Sequence, residues 1–166
     1  MTRASVDPRT FRTVLGHFCT GVTVIAGRDG AEAAGLTCQS FSSLSLDPPL
    51  VLFCPSRTSR SWPRIRQGGR FSVNVLAEDQ QDVCEAFGSP TGTKFDGIGW
   101  RLTPGGAVVI DGVLAWLDCS IERVHDGGDH EIVIGRVREL RVERDHRPLL
   151  FYRGGHDLGT SLAGKR

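Results

Sequence analysis

The chain begins with a helical pattern of apolar residues and then changes to the two-residue alternation of β-strands. Four apolar side chains between Phe11 and Phe18 follow i, i+3, i+4, i+7 spacing, which predicts an amphipathic helix over residues 7–18. Asp7 can cap this helix, and Pro8 suits its first position. The sequence therefore predicts one helix at the start of a chain that is otherwise mostly β.

Most of the remaining apolar residues fall in short runs that are typical of strands. Strands are predicted at residues 22–26, 50–54, 71–76 and 148–152, and short helices at residues 59–65 and 79–87. Phe71, Val73 and Val75 alternate with polar residues, as on a strand that buries one face. Many strands, few helices and antiparallel connections favour a closed β-barrel over a parallel sheet.

Residues 113–142 predict a long β-hairpin. The odd-numbered residues from Val113 to Ile121 are apolar and share one face, and Asp126-Gly127-Gly128-Asp129 is typical of a tight turn. On the returning strand the apolar residues change parity, which indicates a β-bulge between Val137 and Leu140.

Residues 35–49 concentrate hydroxyl side chains and one thiol before a double proline. Serine and threonine hydroxyls, together with backbone N–H groups, can hold a phosphate without a large positive charge. A Ser-rich segment is ordinarily a solvated loop. Leu36, Phe41, Leu44 and Leu46 are interleaved with the hydroxyls, however, and this favours an irregular strand with one polar face.

Two further segments carry candidate chemistry. In residues 56–62, hydroxyls and arginines meet at a predicted helix start, where free N–H groups attract phosphate; an ordinary helix cap with solvated arginines explains the pattern equally well. At the hairpin tip, Asp129 precedes His130 and can orient the imidazole and fix its tautomer. The ordinary alternative is a surface histidine beside turn glycines.

Composition limits the class of protein. A length of 166 residues suits a single domain over residues 1–166, and a net charge of +1 gives no basic surface for nucleic acid or for a membrane. No apolar run approaches the roughly 20 residues that span a bilayer, and the first residues lack a hydrophobic signal core. We therefore expect a cytoplasmic protein. Its basic residues are nearly all arginine, which indicates a GC-rich, bacterial coding sequence.

The cysteines and histidines do not form a metal or disulfide pattern. The five cysteines include no Cys-x-x-Cys pair, so neither a disulfide framework nor a structural zinc site is expected. His130-Glu131 begins like a zinc-protease motif, but Ile134 stands where the second histidine would be. We expect no metal. The Gly-x-Gly-x-x-Gly dinucleotide fingerprint is also absent, because Leu102 follows Gly97-Ile98-Gly99 where the third glycine belongs.

Several short motifs occur in a fixed order along nearly the whole chain. They are Phe11-Arg12, Gly21-Val22-Thr23-Val24, Gly35-Leu36-Thr37, the run from Ser40 to the prolines Pro48-Pro49, Phe71-Ser72-Val73-Asn74-Val75-Leu76, Lys94-Phe95, Gly128-Asp129-His130 followed by Ile134-Gly135, and Pro148-Leu149-Leu150. This ordered set resembles the flavin reductase family, in its short-chain class that supplies reduced flavin to two-component monooxygenases.

The resemblance implies a fold and a function. The fold would be the mainly β, FMN-binding split β-barrel of Greek-key type, with the flavin buried at the interface of a homodimer. The activity would be that of an NAD(P)H:flavin oxidoreductase, which transfers hydride from NADH or NADPH to FMN or FAD and releases the reduced flavin to a separate monooxygenase. Two alternatives stay open: a flavin- or haem-holding barrel without reductase activity, and a ligand-binding barrel without flavin.

The resemblance also implies roles for individual residues. Four would line the flavin ring and ribityl chain: Thr37, Cys38, Gln39 and Ser40. Four would hold the flavin phosphate: Ser43, Ser59, Arg60 and Ser61. Lys94 and Phe95 would lie at the flavin rim, and Cys54 and Asp129 complete the cofactor-binding set. His130 would position the nicotinamide, and Tyr152 would close that side. The cofactors carry the hydride chemistry, so no essential acid–base residue is expected.

Overall fold

The computed structural model describes residues 6–90 and 93–156 and confirms the mainly β class. In chain order its elements are α1 (Pro8–Leu15), β1 (Thr20–Gly21), β2 (Thr23–Asp29), β3 (Glu32–Cys38), β4 (Ser42–Ser45), β5 (Leu50–Phe53), α2 (Trp62–Gly68), β6 (Arg70–Val75), α3 (Gln81–Gly88), β7 (Trp100–Leu102), β8 (Val108–Ile110), β9 (Ala115–Gly127), β10 (His130–Val142) and β11 (Leu150–Phe151).

Seven strands form one antiparallel sheet in the order β3-β2-β6-β9-β10-β5-β4. Among the described residues no ladder joins the two outer strands, so the hydrogen-bonded sheet is open between β3 and β4. A side chain bridges part of this gap, because the Ser40 hydroxyl accepts a hydrogen bond from Cys54 N at 2.9 Å and donates to Cys54 O at 3.1 Å. The end of β3 is thus tied to the end of β5 without strand pairing.

The central strands are buried on both faces. On β2, Val24 packs in one apolar cluster with α3 and β8, whereas the next residue, Ile25, packs in a second cluster with α2. The alternation predicted for β6 is present, but its polar side is buried as well. Asn74 is fully buried, since its amide donates to Val108 O at 3.2 Å and its carbonyl accepts from Ile110 N at 2.9 Å. These bonds attach β8 to the sheet.

The long hairpin and its predicted bulge are confirmed. β9 and β10 pair from Ala115–Val142 to the tip, and the register shifts between Val137 and Glu139. A second shift, between Ile134 and Gly135, was not predicted.

The predicted helices are present with different limits. α1 ends at Leu15 rather than residue 18, because Gly16 is its C-cap, and no residue of this helix is buried. α2 begins at Trp62 rather than residue 59, and its Gly69 C-cap has φ 71°. α3 begins at Gln81 rather than residue 79.

Within residues 6–90 and 93–156, no helix combines the length and the apolar character needed to cross a membrane.

Gly135 is expected to be essential for stability. A Cβ atom at this position would overlap the Phe71 ring and lie 3.2 Å from Cys119 Cβ, so Gly135→Ala should lower the free energy of unfolding by about 1–3 kcal/mol through overpacking. Gly21→Ala is the control, because a Cβ there meets nothing within 4 Å. Urea denaturation measures both variants, and equal stability of the two would contradict the packing argument.

Candidate functional site

A cavity of about 490 Å³ lies where β3, the loop after β5, the end of α3 and the hairpin tip meet; we call it the first cavity. Nine of the sequence-predicted site residues line it: Thr37, Cys38, Gln39, Ser40, Cys54, Ser59, Arg60, Lys94 and His130. Its volume is within the range of small-molecule sites. The fold therefore brings the three candidate segments together.

The wall on the β3 side is held by its own hydroxyl groups. Thr37 Oγ1 donates to Cys84 O at 2.7 Å, and Ser40 holds the backbone of Cys54 as described above. Cys38 Sγ lies 3.2 Å from Ser40 Oγ, and burial raises the pKa of the Cys38 thiol. Two of the hydroxyl groups in residues 35–49, those of Thr37 and Ser40, thus fix the wall of the cavity.

The loop between β5 and α2 forms a turn rich in hydroxyl groups. Ser59 N donates to Ser56 O at 3.0 Å, and Ser56 Oγ accepts from Thr58 N at 3.2 Å. Ser59 Oγ in turn accepts from Trp62 N at 3.2 Å. The Arg60 guanidinium, by contrast, has no hydrogen-bond or ion-pair partner in the described part of the chain. The turn therefore presents an uncommitted cation at the cavity.

The hairpin tip supplies the imidazole. His130 Nδ1 lies 2.7 Å from Asp129 Oδ1, and this hydrogen bond lowers the pKa of the Asp129 carboxyl. Because an ionised carboxylate only accepts hydrogen bonds, Nδ1 carries the proton, and Nε2 of the neutral ring is left as an acceptor. The tip is held in place by Arg57, whose backbone N–H donates to Asp129 O at 3.0 Å and whose Nε donates to Gly128 O at 2.8 Å.

Lys94 lies beside α3, and its ammonium group has no carboxylate partner among the described residues. Its Nζ donates to Phe87 O at 3.0 Å and to Gly35 O at 3.2 Å. An ammonium group has three N–H donors, so one of them has no partner within the part of the chain that the structure describes. Burial lowers the pKa of Lys94. An anion in the cavity would stabilise its charge.

A family model described as "Flavin reductase like domain" matches residues 15–158 of the chain. The chain belongs to the flavin reductase family.

Named relatives of this chain include a reductase subunit of a flavin-dependent monooxygenase and a flavin reductase. The reductase subunit HsaB of a flavin-dependent monooxygenase from Rhodococcus jostii is 58% identical over 150 residues, which are 90% of this chain and 77% of that protein. A flavin reductase from Pseudomonas putida is 48% identical over 157 residues, or 94% of this chain and 92% of that protein.

Two solved structures with the same fold are also similar in sequence. Nitrilotriacetate monooxygenase component B from Mycobacterium thermoresistibile superposes with a TM-score of 0.87 and 53% identity, over 95% of this chain and 89% of that chain. The NADH:FAD oxidoreductase SgcE6 of Streptomyces globisporus, in complex with NAD and FAD fragments, has a TM-score of 0.84 and 36% identity, over 92% and 94% of the two chains.

Five residues that the family resemblance implicated do not line the first cavity. Ser43 is exposed on β4, where it pairs with Val51. Ser61 and Phe95 line a neighbouring cavity of about 530 Å³, which we call the second cavity. Tyr152 forms an isolated bridge with Gly155 beyond β11. Asp129 is absent from the cavity lining as well, but it contacts His130.

The residue-by-residue prediction missed part of the lining. Ser56 and Thr58 belong to the hydroxyl- and arginine-rich segment but were not singled out. Gly88 at the end of α3 and the next two residues, Ser89 and Pro90, form another part of the wall. A glycine with a proline two residues later is typical of a helix end. The sequence therefore predicts the turn but not that the turn lines a cavity.

The five thiols should differ sharply in reactivity, because the thiolate is the reactive form. Cys19 is exposed, whereas Cys119 is fully buried and burial raises the pKa of its thiol to about 12. We expect N-ethylmaleimide at pH 7.5 to modify Cys19 first and half-buried Cys54 next, with Cys119 modified only after unfolding. Peptide mass spectrometry over time measures this order. Equal rates at Cys19 and Cys119 in the native protein would contradict the packing.

Proposed function

We propose that this chain is an NAD(P)H-dependent flavin reductase, an enzyme of class EC 1.5.1.-, whose single domain spans residues 1–166. FMN or FAD would be reduced and then supplied to a separate monooxygenase. The observation that carries the proposal is the first cavity, where a hydroxyl-lined strand, the loop that carries Arg60 and the Asp129–His130 tip meet. The family and the named functions of its relatives support the same activity.

The residues present fit a flavin nucleotide. Thr37, Gln39 and Ser40 on the β3 side, with Cys54 beside Ser40, offer a polar wall for the ring and ribityl chain. Arg60 and Lys94, neither of which has a carboxylate partner among the described residues, supply positive charge for the phosphate. Ser59 and neighbouring hydroxyls add donors to that end.

The chemistry asks for positioning rather than for proton transfer by the protein. A bound flavin would supply the acceptor for the hydride and proton of its reduction, with NAD(P)H as the hydride donor that becomes NAD(P)⁺, and the cofactors themselves would carry that reactivity. The protein has to hold donor and acceptor in a near-attack arrangement and exclude competing reactions. His130, with its ring fixed by Asp129, would position the nicotinamide nucleotide.

A homodimer is part of the proposal. No residue of α1 is buried, and Phe11, Leu15 and Phe18 are all more than half exposed. These side chains, with Phe151, line an apolar groove of about 740 Å³ that also reaches Gln39 and Ser40. A second copy of the chain would cover this groove at the edge of the first cavity. Such an interface is favoured because it removes an exposed apolar patch from water.

His130 should affect the nicotinamide more than the flavin. We expect His130→Ala to raise the KM for NADH or NADPH about five- to tenfold, the size of one hydrogen bond, while the flavin Kd changes by less than about twofold. Absorbance at 340 nm with all four cofactor pairings gives the kinetics, and quenching of flavin fluorescence gives the Kd. His125→Ala is the control, since His125 is exposed on the same hairpin and does not line the cavity.

The outcomes separate the candidate functions. Flavin binding without oxidation of NADH or NADPH in the wild-type protein would favour a flavin-holding module. No binding of FMN or FAD would refute the proposal. A larger effect of His130→Ala on flavin affinity than on the nicotinamide KM would refute the role of His130 alone.

The groove on α1 gives an independent test of the dimer. Phe11→Asp places a charge in the apolar groove and should shift the protein from dimer to monomer in sedimentation velocity. Arg9→Asp is the matched control, because Arg9 lies on the same exposed helix outside the groove lining. A wild-type protein that sediments as a monomer, or a Phe11→Asp variant that stays dimeric, would contradict the proposed interface.

A further inference from the structure

The tip of the long hairpin contains little that could fix its own conformation. Its loop has only two residues, Gly128 and Asp129, because His130 pairs with Gly127 in the ladder of β9 and β10. Gly128 has φ 81°, which glycine adopts without steric cost, and the Asp129 side chain is 94% exposed. The imidazole of His130 is 44% exposed and touches this mobile class of residues through Asp129. Its orientation therefore depends on contacts from outside the hairpin.

Arg57, in the loop between β5 and α2, supplies such contacts from its side chain as well as from its backbone. Its backbone N–H donates to Asp129 O at 3.0 Å, and its Nε donates to Gly128 O at 2.8 Å. Nη2 pairs with the Asp126 carboxylate, and Nη1 approaches the Glu131 carboxylate at 3.5 Å. One guanidinium thus contacts the end of β9, the start of β10 and the loop that joins them.

The Arg57 side chain lies beside the first cavity without being part of it. Ser56 and Thr58, its neighbours in the chain, both line the cavity, whereas Arg57 does not. An effect of the guanidinium on a ligand in the cavity therefore has to pass through the hairpin tip. The side chain is 44% exposed, and exposed ion pairs contribute little to overall stability. Its removal should leave the fold intact.

The arrangement of the contacts requires the shape of arginine and not only its charge. A guanidinium is planar and holds its N–H donors in a rigid fork. In Arg57 this fork reaches a carbonyl through Nε and a carboxylate through Nη2 at the same time. A lysine ammonium at this position could pair with Asp126, but it has no second donor group fixed in the direction of Gly128 O.

We propose that Arg57 is a positioning residue for the nicotinamide nucleotide, which acts by holding Asp129 and His130 in the orientation that lines the first cavity. This inference rests on the proposed function, and it concerns a residue that does not line the cavity itself. A tip that is ordered before the nucleotide arrives lowers the entropy that binding costs. The loss of Arg57 should therefore weaken the use of NADH or NADPH and leave flavin affinity unchanged.

A double-mutant cycle of Arg57→Ala with His130→Ala tests this role. Arg57→Ala alone should raise the KM for NADH or NADPH about fivefold, the size of one net hydrogen bond, with the flavin Kd changed by less than about twofold. In the His130→Ala background the same change should alter the KM by less than about twofold, because the residue through which Arg57 acts is gone. Arg57→Lys keeps the charge but loses the fork, so most of the increase should remain.

Hydrogen exchange of the protein without cofactors measures the tip directly. The amides of residues 124–131 should exchange faster in Arg57→Ala than in the wild-type protein. Arg136→Ala is the matched control, because Arg136 donates two hydrogen bonds to Glu122 at 2.8 and 2.7 Å on the same hairpin, and neither residue lines the first cavity. This control should change neither the exchange of the tip nor the KM.

The possible results separate this role from its alternatives. Equal effects of Arg57→Ala with and without His130, or full recovery in Arg57→Lys, would show that the positive charge attracts the nucleotide directly, and would overturn the positioning role. Unchanged exchange at the tip, or an unchanged KM in Arg57→Ala or in His130→Ala, would overturn it as well. In each of these cases a wild-type protein that reduces flavin leaves the proposed function standing. A wild-type protein that binds no flavin refutes both.

Discussion

The pairing of β10 with β5 is the constraint on which the candidate site depends. Val133 lies opposite Phe53 in this ladder, and a further bridge past the end of β5 joins Ser56 to His130. Successive side chains of a strand point to opposite faces, so a slip of one residue would turn His130 away from the first cavity. The long hairpin thus does more than extend the sheet: its register decides which side chain of the tip meets the loop after β5.

The residue after His130 holds the tip from the other side. Glu131 is only 14% exposed, and its carboxylate accepts from Trp62 Nε1 at 2.6 Å and from Arg66 Nη1 at 3.0 Å, both on α2. Arg57 Nη1 approaches the same carboxylate at 3.5 Å. A nearly buried charge is tolerated only when it is paired, so α2, the loop and the hairpin are held to one arrangement. The position of His130 therefore depends on contacts between residues that do not line the first cavity.

Local patterns predicted the elements better than the site. Parity alone placed the bulge after Val137, because side-chain period is a local property, but it gave no sign of the shift between Ile134 and Gly135. Ser43 was grouped with the cavity hydroxyls because residues 35–49 look like one strand. In the fold, β3 ends at Cys38 and β4 starts at Ser42, so Ser43 belongs to a different strand and its exposed side chain is not part of the cavity lining. Similarly, nothing near Lys94 in the sequence indicates the Gly35 carbonyl that it contacts.

The polar groups of the cavity are of two kinds: hydroxyls that are hydrogen-bonded within the protein, and cations that have no carboxylate partner among the described residues. The hydroxyls of Thr37 and Ser40 already donate to backbone carbonyls. Their orientations are therefore fixed, and their O–H groups are not the donors that would bind a charged group of a ligand. Arg60 and Lys94, by contrast, have no carboxylate partner among the described residues. A carboxylate beside Arg60 or Lys94 would stabilise the empty protein but would weaken the attraction for a phosphate by the same interaction. Burial lowers the pKa of Lys94 because desolvation penalises its charged form. The described part of the fold leaves this positive charge uncompensated. The same charge therefore destabilises the protein without ligand and attracts an anion to the cavity.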